Sequence, residues 1–475
     1  MASSNINKNI LFILLSLAIK LSFCKNNIHR IPLGLFYIYD NEEDDTSDLI
    51  RTIFFNFLCI NLTIGTPPQI VPFRVDINSP SFYVTKKYFN SSASSTYEAI
   101  NEKEKKYLFE DVETGFDSKD IISINGDKRK VNFIYATKHK SDTDLGNIGL
   151  LIPTKTQNDV WPFFDSLNKA EYINNSYIWT LKFDHKLSIL DILFTKDEDK
   201  KVIGEFIIGD APHNYERNQT IYNKEKFIEI DALWSEHDLN WDIEFYKIYL
   251  TFKENQNISQ KLNSSKLNIH GDLRAEINPD IGFIVAPIPF FEKINQYFFG
   301  KYRNICYQIK ISRSLFRYIE CKNNEKFNIS DFPNISFVYE DDITFNLTYQ
   351  DLFVFDKVKN KYIFLILYEG YTSDWVLGRL FLRKYQFVFN GKTKKIGYYK
   401  SMDDTNWETD FESDKDKIIN FIVFIIQVGL LVSIVIFIIC LVYKKIKGKN
   451  KRQKRINELD EEDNRIDDDK NKELL

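Results

Sequence analysis

The sequence predicts an all-β body. Between residues 58 and 399, short apolar runs alternate with turn residues, as in 121–124, 204–208 and 243–250. Runs rich in Ile, Phe, Tyr and Val that are separated by Asn and Asp clusters are typical of strands and hairpins. Few stretches favour a helix, and 287–299 is the clearest of them. With 475 residues the chain is long enough for two packed β units and further appendages.

The turns of this body must be made with little glycine, because the whole chain contains only 17. Tight turns often need a positive φ, which glycine adopts most readily. Asn and Asp tolerate that conformation best after glycine. We therefore expect Asn and Asp to occupy many of the turns.

Apolar segments at both ends predict a secreted chain with a membrane anchor. A short apolar run behind Lys8 favours a signal peptide over residues 1–24, with an uncleaved anchor as the alternative. Residues 418–443 carry no charge and are long enough to span about 30 Å of hydrocarbon. The tail 444–475 is first basic and then acidic, which places it in the cytoplasm as a disordered segment. These features predict a type I membrane protein of the cell surface or endolysosomal membrane, with its bulk extracellular or lumenal.

The composition argues against several other functions. A net charge of -4 is unfavourable for nucleic-acid binding, which needs a basic face. The six His residues are scattered, and the sequence has no H-E-x-x-H, G-x-S-x-G or P-loop motif. We expect neither a metal nor a cofactor.

Cysteines and glycosylation sequons fit an oxidising compartment. Cys306 and Cys321 are the expected disulfide, whereas Cys59 in an apolar strand is expected to be a buried thiol, with an intermolecular bridge as the alternative. Asn61 lies in a predicted strand and is expected to be unmodified. The remaining N-x-S/T sequons include seven glycosylation candidates: Asn90, Asn174, Asn218, Asn257, Asn263, Asn328 and Asn334.

Five segments in order carry a resemblance to a known family. They are I-G-T-P-P-Q at 64–69, V-D with a following Ser79 at 75–79, F-N-S-S-A-S-S-T-Y at 89–97, G-F-D-S-K-D at 115–120, and a closing segment from W-V-L-G at 375–378 to I-G at 396–397. Over residues 53–402 the chain resembles the pepsin-like aspartic peptidases. The resemblance implies a bilobal acid-protease fold with an inter-lobe cleft, an N-terminal lobe at 53–215 and a C-terminal lobe at 216–402. It also implies an acidic pro-like segment at 25–52, and a linker at 403–417 leads to the predicted C-terminal transmembrane helix.

The family's chemistry needs two carboxylates, one from each lobe, that share a proton around one water. By resemblance, Asp76 is the first of them and Ser79 is the serine that helps to orient it. The family's threonine and glycine are replaced by Ile77 and Asn78. Ile77 removes a hydroxyl group, and the Cβ atom of Asn78 crowds the site.

The second catalytic position falls on an amide. Counting back from Pro287 places Asn278 at the aspartate position, with Pro279 and Asp280 after it. An amide does not titrate, so it cannot serve as acid or base. A shift of two residues would instead place Asp280 at the site. The family's flap tyrosine falls on Tyr107 or Leu108, and no glycine follows within 108–114.

Three functions follow as hypotheses. The first is a pseudoprotease that binds a peptide or protein in the inter-lobe cleft or on its glycosylated surface. The second is an active or weakly active aspartic endopeptidase that uses Asp76 with Asp280. The third is a surface or adhesion protein in which the cleft has no role.

Overall fold

The computed structural model describes a mostly β chain with few helices, which confirms the predicted fold class. All described residues belong to one unit, residues 1–405. The described residues are 28–37, 56–107, 112–140, 143–151, 161–184, 187–189, 193, 202–218, 220–233, 241–252, 266–269, 273–311, 315–340, 343–369 and 374–400.

The strands of the first half of the described chain are β1 (His29–Tyr37), β2 (Asn56–Ile64), β3 (Gln69–Asp76), β4 (Phe82–Thr85), β5 (Glu98–Ala99), β6 (Lys105–Lys106), β7 (Val112–Ile124), β8 (Asp127–His139), β9 (Gly146–Gly149), β10 (Ile178–Phe183) and β11 (Val202–Ile208).

The strands of the second half are β12 (Phe227–Asp231), β13 (Ile243–Glu244), β14 (Lys247–Thr251), β15 (Lys266–Ile269), β16 (Arg274–Ile277), β17 (Ile284–Val285), β18 (Cys306–Lys310), β19 (Phe316–Lys322), β20 (Asn334–Glu340), β21 (Ile343–Leu347), β22 (Phe353–Asp356), β23 (Lys361–Glu369), β24 (Trp375–Leu377), β25 (Val388–Asn390) and β26 (Lys395–Tyr399).

The α-helices of the described residues are short: α1 (Phe163–Lys169), α2 (Ile288–Tyr297), α3 (Tyr349–Leu352) and α4 (Arg379–Tyr385). Single 3₁₀ turns lie at Ser91–Ala93, Pro212–Asn214, Lys224–Lys226, Phe299–Tyr302 and Ile329–Asp331.

The strands assemble into sheets that draw on both halves. The largest has 14 strands, in the order β12-β26-β25-β10-β11-β1-β2-β3-β9-β4-β8-β7-β5, with β6 beside β7. An 8-stranded sheet runs β13-β16-β24-β17-β23-β19-β18, with β22 beside β23, and a 4-stranded sheet runs β15-β14-β20-β21. The C-terminal strands β25 and β26 therefore join a sheet that is formed mainly by the first half.

The strand β1 lies inside the largest sheet, although it belongs to the predicted pro-like segment. Leu33 pairs with Ile60 of β2 on one side and with Gly204 of β11 on the other. Its neighbours Ile31 and Leu35 are also buried in the core. Because alternate residues of a strand face the same side, these three side chains form one buried stripe. Residues 28–37 are thus an integral part of the sheet.

The predicted helix at 287–299 corresponds to α2, which begins directly after Pro287. The run at 243–250 is not one strand, because the chain changes sheets within it. The backbone N–H of Phe245 donates to Leu273, and that of Tyr246 donates to Val338. The run is therefore divided between the 8-stranded and the 4-stranded sheet.

Asparagine takes up the turn conformation that glycine would otherwise supply. Asn125, Asn175 and Asn360 all have φ between 52° and 55°. The expectation drawn from the low glycine content is confirmed at these three turns.

The predicted signal peptide, linker, transmembrane segment and cytoplasmic tail lie outside the described residues. Within the described part, no helix has the length and apolar character needed to cross a membrane.

Removing the buried side chain of Leu33 should show how much the large sheet depends on β1. Leu33→Ala is expected to lower the free energy of unfolding by about 2–5 kcal/mol, because it leaves a cavity at a fully buried position. Val202→Ala is the matched control, since Val202 pairs with Gly34 of β1 but is 57% exposed, and it should change stability by about 0.5 kcal/mol or less. Urea unfolding measures both, and equal effects would contradict an integral β1.

Candidate functional site

Two similar loops bring the predicted site residues together. The first loop follows Asp76, the last residue of β3, and leads to β4, and the second begins at Asn278, directly after β16, and leads to β17. In the first, Val75 and Phe82 both pair with Ile148 of β9. In the second, Ile277 and Ile284 both pair with Leu377 of β24, in the same parallel and antiparallel senses. The two loops are therefore internal equivalents.

This equivalence fixes which residues correspond. Seven positions separate Val75 from Phe82 and Ile277 from Ile284. Asp76 consequently corresponds to Asn278, and Asn78 corresponds to Asp280. The alternative register, with Asp280 opposite Asp76, would need one loop to be two residues shorter than the other.

The turn hydrogen bonds repeat the same pattern. The backbone N–H of Asn78 donates to Asp76 Oδ1 at 2.9 Å. The backbone N–H of Asp280 donates to Asn278 Oδ1 at 3.1 Å. Each loop thus closes on the side-chain oxygen of Asp76 or Asn278, in the manner of an Asx turn.

One glycine supports each loop from below. A Cβ atom at Gly149 would lie 2.4 Å from Ser79 O, and a Cβ atom at Gly378 would lie 2.2 Å from Ile281 O. Such distances are shorter than any van der Waals contact, so only glycine allows the loop to pack this closely. Gly149 and Gly378 therefore have the same physical role.

The first loop is held rigidly. Asn147 Nδ2 donates to Ser79 Oγ at 3.3 Å and to Ser81 O at 3.1 Å. Ser79 Oγ also accepts the backbone N–H of Ser81 at 3.2 Å. Ile77 is 1% exposed and packs into the core, where it offers no hydrogen-bonding group. The side chain of Asp76 is 9% exposed, so a single, nearly buried carboxylate lies at the end of β3.

Arg74 joins the two loops through Asp280. Its Nε donates to Asp280 Oδ2 at 2.7 Å, and its Nη2 donates to the same oxygen. The same Nη2 lies 3.8 Å from Asp76 Oδ2, and the guanidinium carbon stacks 5.0 Å from the centre of the Phe57 ring. A cation therefore lies within reach of both carboxylates of the site.

Burial sets the electrostatics of Asp280. Its side chain is 10% exposed, and this burial raises the pKa of Asp280 to about 6. The Arg74 guanidinium opposes part of that rise, whereas the Asp76 carboxylate adds to it. The Asp76 carboxylate is thus close enough to Asp280 to affect the pKa of Asp280.

A second contact between the loops involves Glu276. Its Oε1 accepts Nδ2 of Asn78 from the first loop and Nδ2 of Asn278 from its own loop, both at 3.0 Å. Burial raises the pKa of Glu276, and the amide of Asn278 opposes the rise. The side-chain amide of Asn278 is therefore hydrogen-bonded to Glu276, which lies in the strand β16 just before it.

Comparison with known proteins adds an independent observation. The sequence profile described as "Eukaryotic aspartyl protease" matches residues 289–400. The proteins named "Probable aspartic-type endopeptidase OPSB" of Arthroderma benhamiae and Trichophyton verrucosum are each 30% identical over 112 residues, 20% of this chain and 22% of the relative. These matches support the assignment of the chain to the pepsin-like aspartic peptidase family. The alignment spans about a fifth of those relatives, and the profile match begins after Asn278 and Asp280.

In this pepsin-like chain, the hairpin at the flap position is fixed by a buried carboxylate. Lys105 pairs with Gly115, and the Tyr107 hydroxyl donates to Asp117 Oδ1 at 2.9 Å. Trp161 Nε1 donates to the same oxygen at 3.0 Å, and Lys105 Nζ pairs with Oδ2 of Asp117. Tyr107 is 5% exposed, and its ring belongs to a small buried cluster with Val112 and Ile134. Leu108, the other candidate for the flap position, lies outside the described residues.

Arg379 replaces the acidic residue that this family carries after the last motif, and it is fully buried. Its Nη1 donates to the backbone oxygen of Asn56 at 2.9 Å. Burial lowers the pKa of Arg379 to about 10, and the Asp280 carboxylate opposes that change. A second guanidinium therefore acts on Asp280 from α4.

The predicted disulfide is confirmed, since Cys306 and Cys321 are bonded and pair across β18 and β19. Cys59 is buried in β2 and takes no part in that disulfide. Among the glycosylation candidates, Asn90, Asn174, Asn328 and Asn334 are exposed and Asn218 is half-buried. Asn257 and Asn263 lie outside the described residues. Within the described part of the chain, no cluster of His, Cys, Asp and Glu is suited to a metal ion.

The sequence reasoning missed Arg74, Glu276 and Asp117. For the first two, a signal was available: Arg74 stands two residues before Asp76, and Glu276 stands two residues before Asn278. Since side chains two apart on a strand face the same side, Arg74 and Glu276 had to face the site with Asp76 and Asn278. For Asp117, no local pattern marked it, because its partners Lys105, Tyr107 and Trp161 come from two other segments.

Removing Arg74 should destabilise the chain more at neutral than at acid pH. Arg74→Met is expected to cost about 3 kcal/mol or more at pH 7, because it leaves the Asp280 carboxylate buried without its main partner. The cost should be smaller at pH 4.5, where Asp280 binds a proton. Lys87→Met is the control, since Lys87 and Asp144 are both about half exposed and their pair should contribute about 1 kcal/mol or less. Urea unfolding at the two pH values measures this, and equal costs for both variants would contradict it.

Asp280 should also give the native chain a characteristic pH dependence. Its pKa is raised from 3.8 to about 6, so protonation favours the folded state. That contribution is complete below about pH 4 and is lost as the pH rises through about 6. Asp280→Asn does not titrate, so the stability of the native chain relative to this variant should fall between pH 4 and pH 6. A constant difference over that range would contradict the assignment.

Proposed function

We propose that the chain is a pseudoprotease of the pepsin-like family that binds a peptide or protein in the cleft between its two lobes. The observation that carries the proposal is the amide of Asn278 at the position equivalent to Asp76. An aspartic peptidase needs one protonated and one ionised carboxyl at these two positions. An amide can neither take the proton from the attacking water nor donate one to the scissile carbonyl.

The charge of Arg74 supports the same conclusion. The Arg74 guanidinium pairs with Asp280 and favours its ionised form, whereas the reaction requires one protonated carboxyl group. The flap segment without glycine at 108–114 and the absence of hydroxyl groups at Ile77 and Pro279 are further departures from the family pattern. Loss of one positioned acid–base group alone reduces the rate by about 10²–10⁴.

The second candidate is an active or weakly active endopeptidase that uses Asp76 with Asp280. The specific observation in its favour is the raised pKa of Asp280, which is about 6 and includes a contribution from Asp76. At pH 5 such a pair would hold one protonated member, Asp280, which is the requirement for general acid catalysis. Its geometry differs from the family's, because Asp280 stands at the position equivalent to Asn78.

The setting of the proposed binding function is a cell-surface or endolysosomal membrane. A signal peptide at residues 1–24 and a span at 418–443 would leave the body extracellular or lumenal. Glycans on exposed sequons would cover much of the outer surface and leave the cleft as the accessible peptide-binding surface. A display or adhesion protein in which the cleft has no role is the remaining hypothesis.

Peptide cleavage at acid pH distinguishes the pseudoprotease from an active endopeptidase. The purified chain should show no turnover of a peptide library between pH 3 and pH 6 beyond that of Asp76→Asn. If turnover is present and is lost in Asp76→Asn, the pseudoprotease proposal is wrong. Loss in Asp280→Asn together with retention in Asn278→Ala would establish the Asp76–Asp280 enzyme instead.

Peptide capture tests the binding role directly. Asn278→Trp should fill the cleft and reduce library binding at least about tenfold, because a bulky ring replaces a half-buried amide at its centre. Lys326→Trp adds the same ring at an exposed turn and is the matched control. Binding that survives Asn278→Trp would favour the display hypothesis.

A further inference from the structure

Four side chains connect the first and second loops in a symmetric way. Arg74 and Asn78 stand two residues before and two residues after Asp76. Glu276 and Asp280 stand two residues before and two residues after Asn278. Arg74 contacts Asp280, and Glu276 contacts Asn78. Each contact therefore joins a strand residue of one half to a loop residue of the other half.

We infer that Arg74, Asp280, Glu276 and Asn78 form an acid-sensitive clasp that positions the two loops against each other. The adjacent residues Ile77 and Pro279 have no side-chain donor or acceptor, so they cannot form side-chain hydrogen bonds between the loops. The clasp provides these bonds instead. It holds Asp76 and Asn278 at a fixed separation whichever function the cleft serves.

The charge distribution explains why the clasp should respond to acid. Asp280 faces Arg74 and Asp76 from β3 and Arg379 from α4. At neutral pH its negative charge attracts both guanidinium groups. Once Asp280 is protonated, these two cations lose the anion that both of them face, and the hydrogen bonds from Arg74 become weaker because they are no longer charge-assisted.

The contact between Glu276 and Asn78 is weaker than the one between Arg74 and Asp280, and acid weakens it as well. Glu276 faces the amides of Asn78 and Asn278, together with the Arg274–Asp242 ion pair. Asp242 is 1% exposed, and its charge works against ionisation of Glu276. Burial raises the pKa of both Glu276 and Asp280, to about 6 for the latter, so both contacts lose charge as a compartment acidifies. Protonation relieves the cost of buried charge while it loosens the connection between the loops.

Distance measurement across the two halves tests the inference. Spin labels on genetically encoded keto amino acids in place of Lys86 and Lys326, both exposed, leave every cysteine intact. In the native chain, pulsed electron paramagnetic resonance should give one narrow distance at pH 7.5. At pH 4.5 the mean distance should lengthen by about 2 Å or more and its distribution should broaden.

Three variants make the result specific. Asp280→Asn keeps the shape of the side chain but not its charge, so it should show the acid distribution at both pH values. Arg74→Gln should do the same. Glu320→Gln is the control, because Glu320 is a buried carboxylate that pairs with Lys361 within the second half, and it should behave as the native chain.

Two outcomes would overturn the inference. One is a native distance that is unchanged between pH 7.5 and pH 4.5. The other is a response of Asp280→Asn and Arg74→Gln that still depends on pH as in the native chain. The inference would also be overturned if Glu320→Gln changed the distance between the labels as much as Asp280→Asn does, because any buried carboxylate would then have the same effect.

Discussion

The arrangement of the site depends on one buried ion pair, between Arg74 of the first half and Asp280 of the second. Removing a guanidinium and a carboxylate from water costs several kcal/mol for each ion, and their mutual attraction must offset that cost. The pair is therefore a weak source of stability but a strong constraint on geometry. Either charge without the other is expensive, so the two loops must meet where these side chains do.

The same pair changes what Asp76 can do. In a working aspartic peptidase, the two carboxyl groups share a proton because their like charges cannot both be ionised at close range. Here a cation lies near Asp76, and the equivalent position in the other loop carries an amide that donates to Glu276. The peptidase scaffold is thus retained, while the centre of the site is organised by pairing of opposite charges. Such a centre supports the proposed binding role over proton transfer.

Much of the fold could be predicted from the sequence, because strand alternation, turn chemistry and the spacing of family motifs are local signals. The Cys306–Cys321 bond and the helix after Pro287 were predicted in this way. The split of 243–250 between two sheets was not, since strand alternation does not reveal which partner each residue pairs with. Counting from the motifs identified Asp76, Asn278 and Asp280 as candidates, but the partners of these residues are distant in sequence. Arg74 and Asp280 are 206 positions apart, and only the folded chain shows that they meet.

The position of β1 has a consequence for how this chain can mature. His29–Tyr37 supplies backbone hydrogen bonds to β2 on one side and to β11 on the other. If the chain were cut between β1 and β2 and the first fragment were released, both neighbours would become unpaired edges in the middle of the largest sheet. Unpaired edges of this kind invite pairing with other chains. The β1 part of the pro-like segment therefore stabilises the largest sheet. Its loss would be expected to cause aggregation instead of activation.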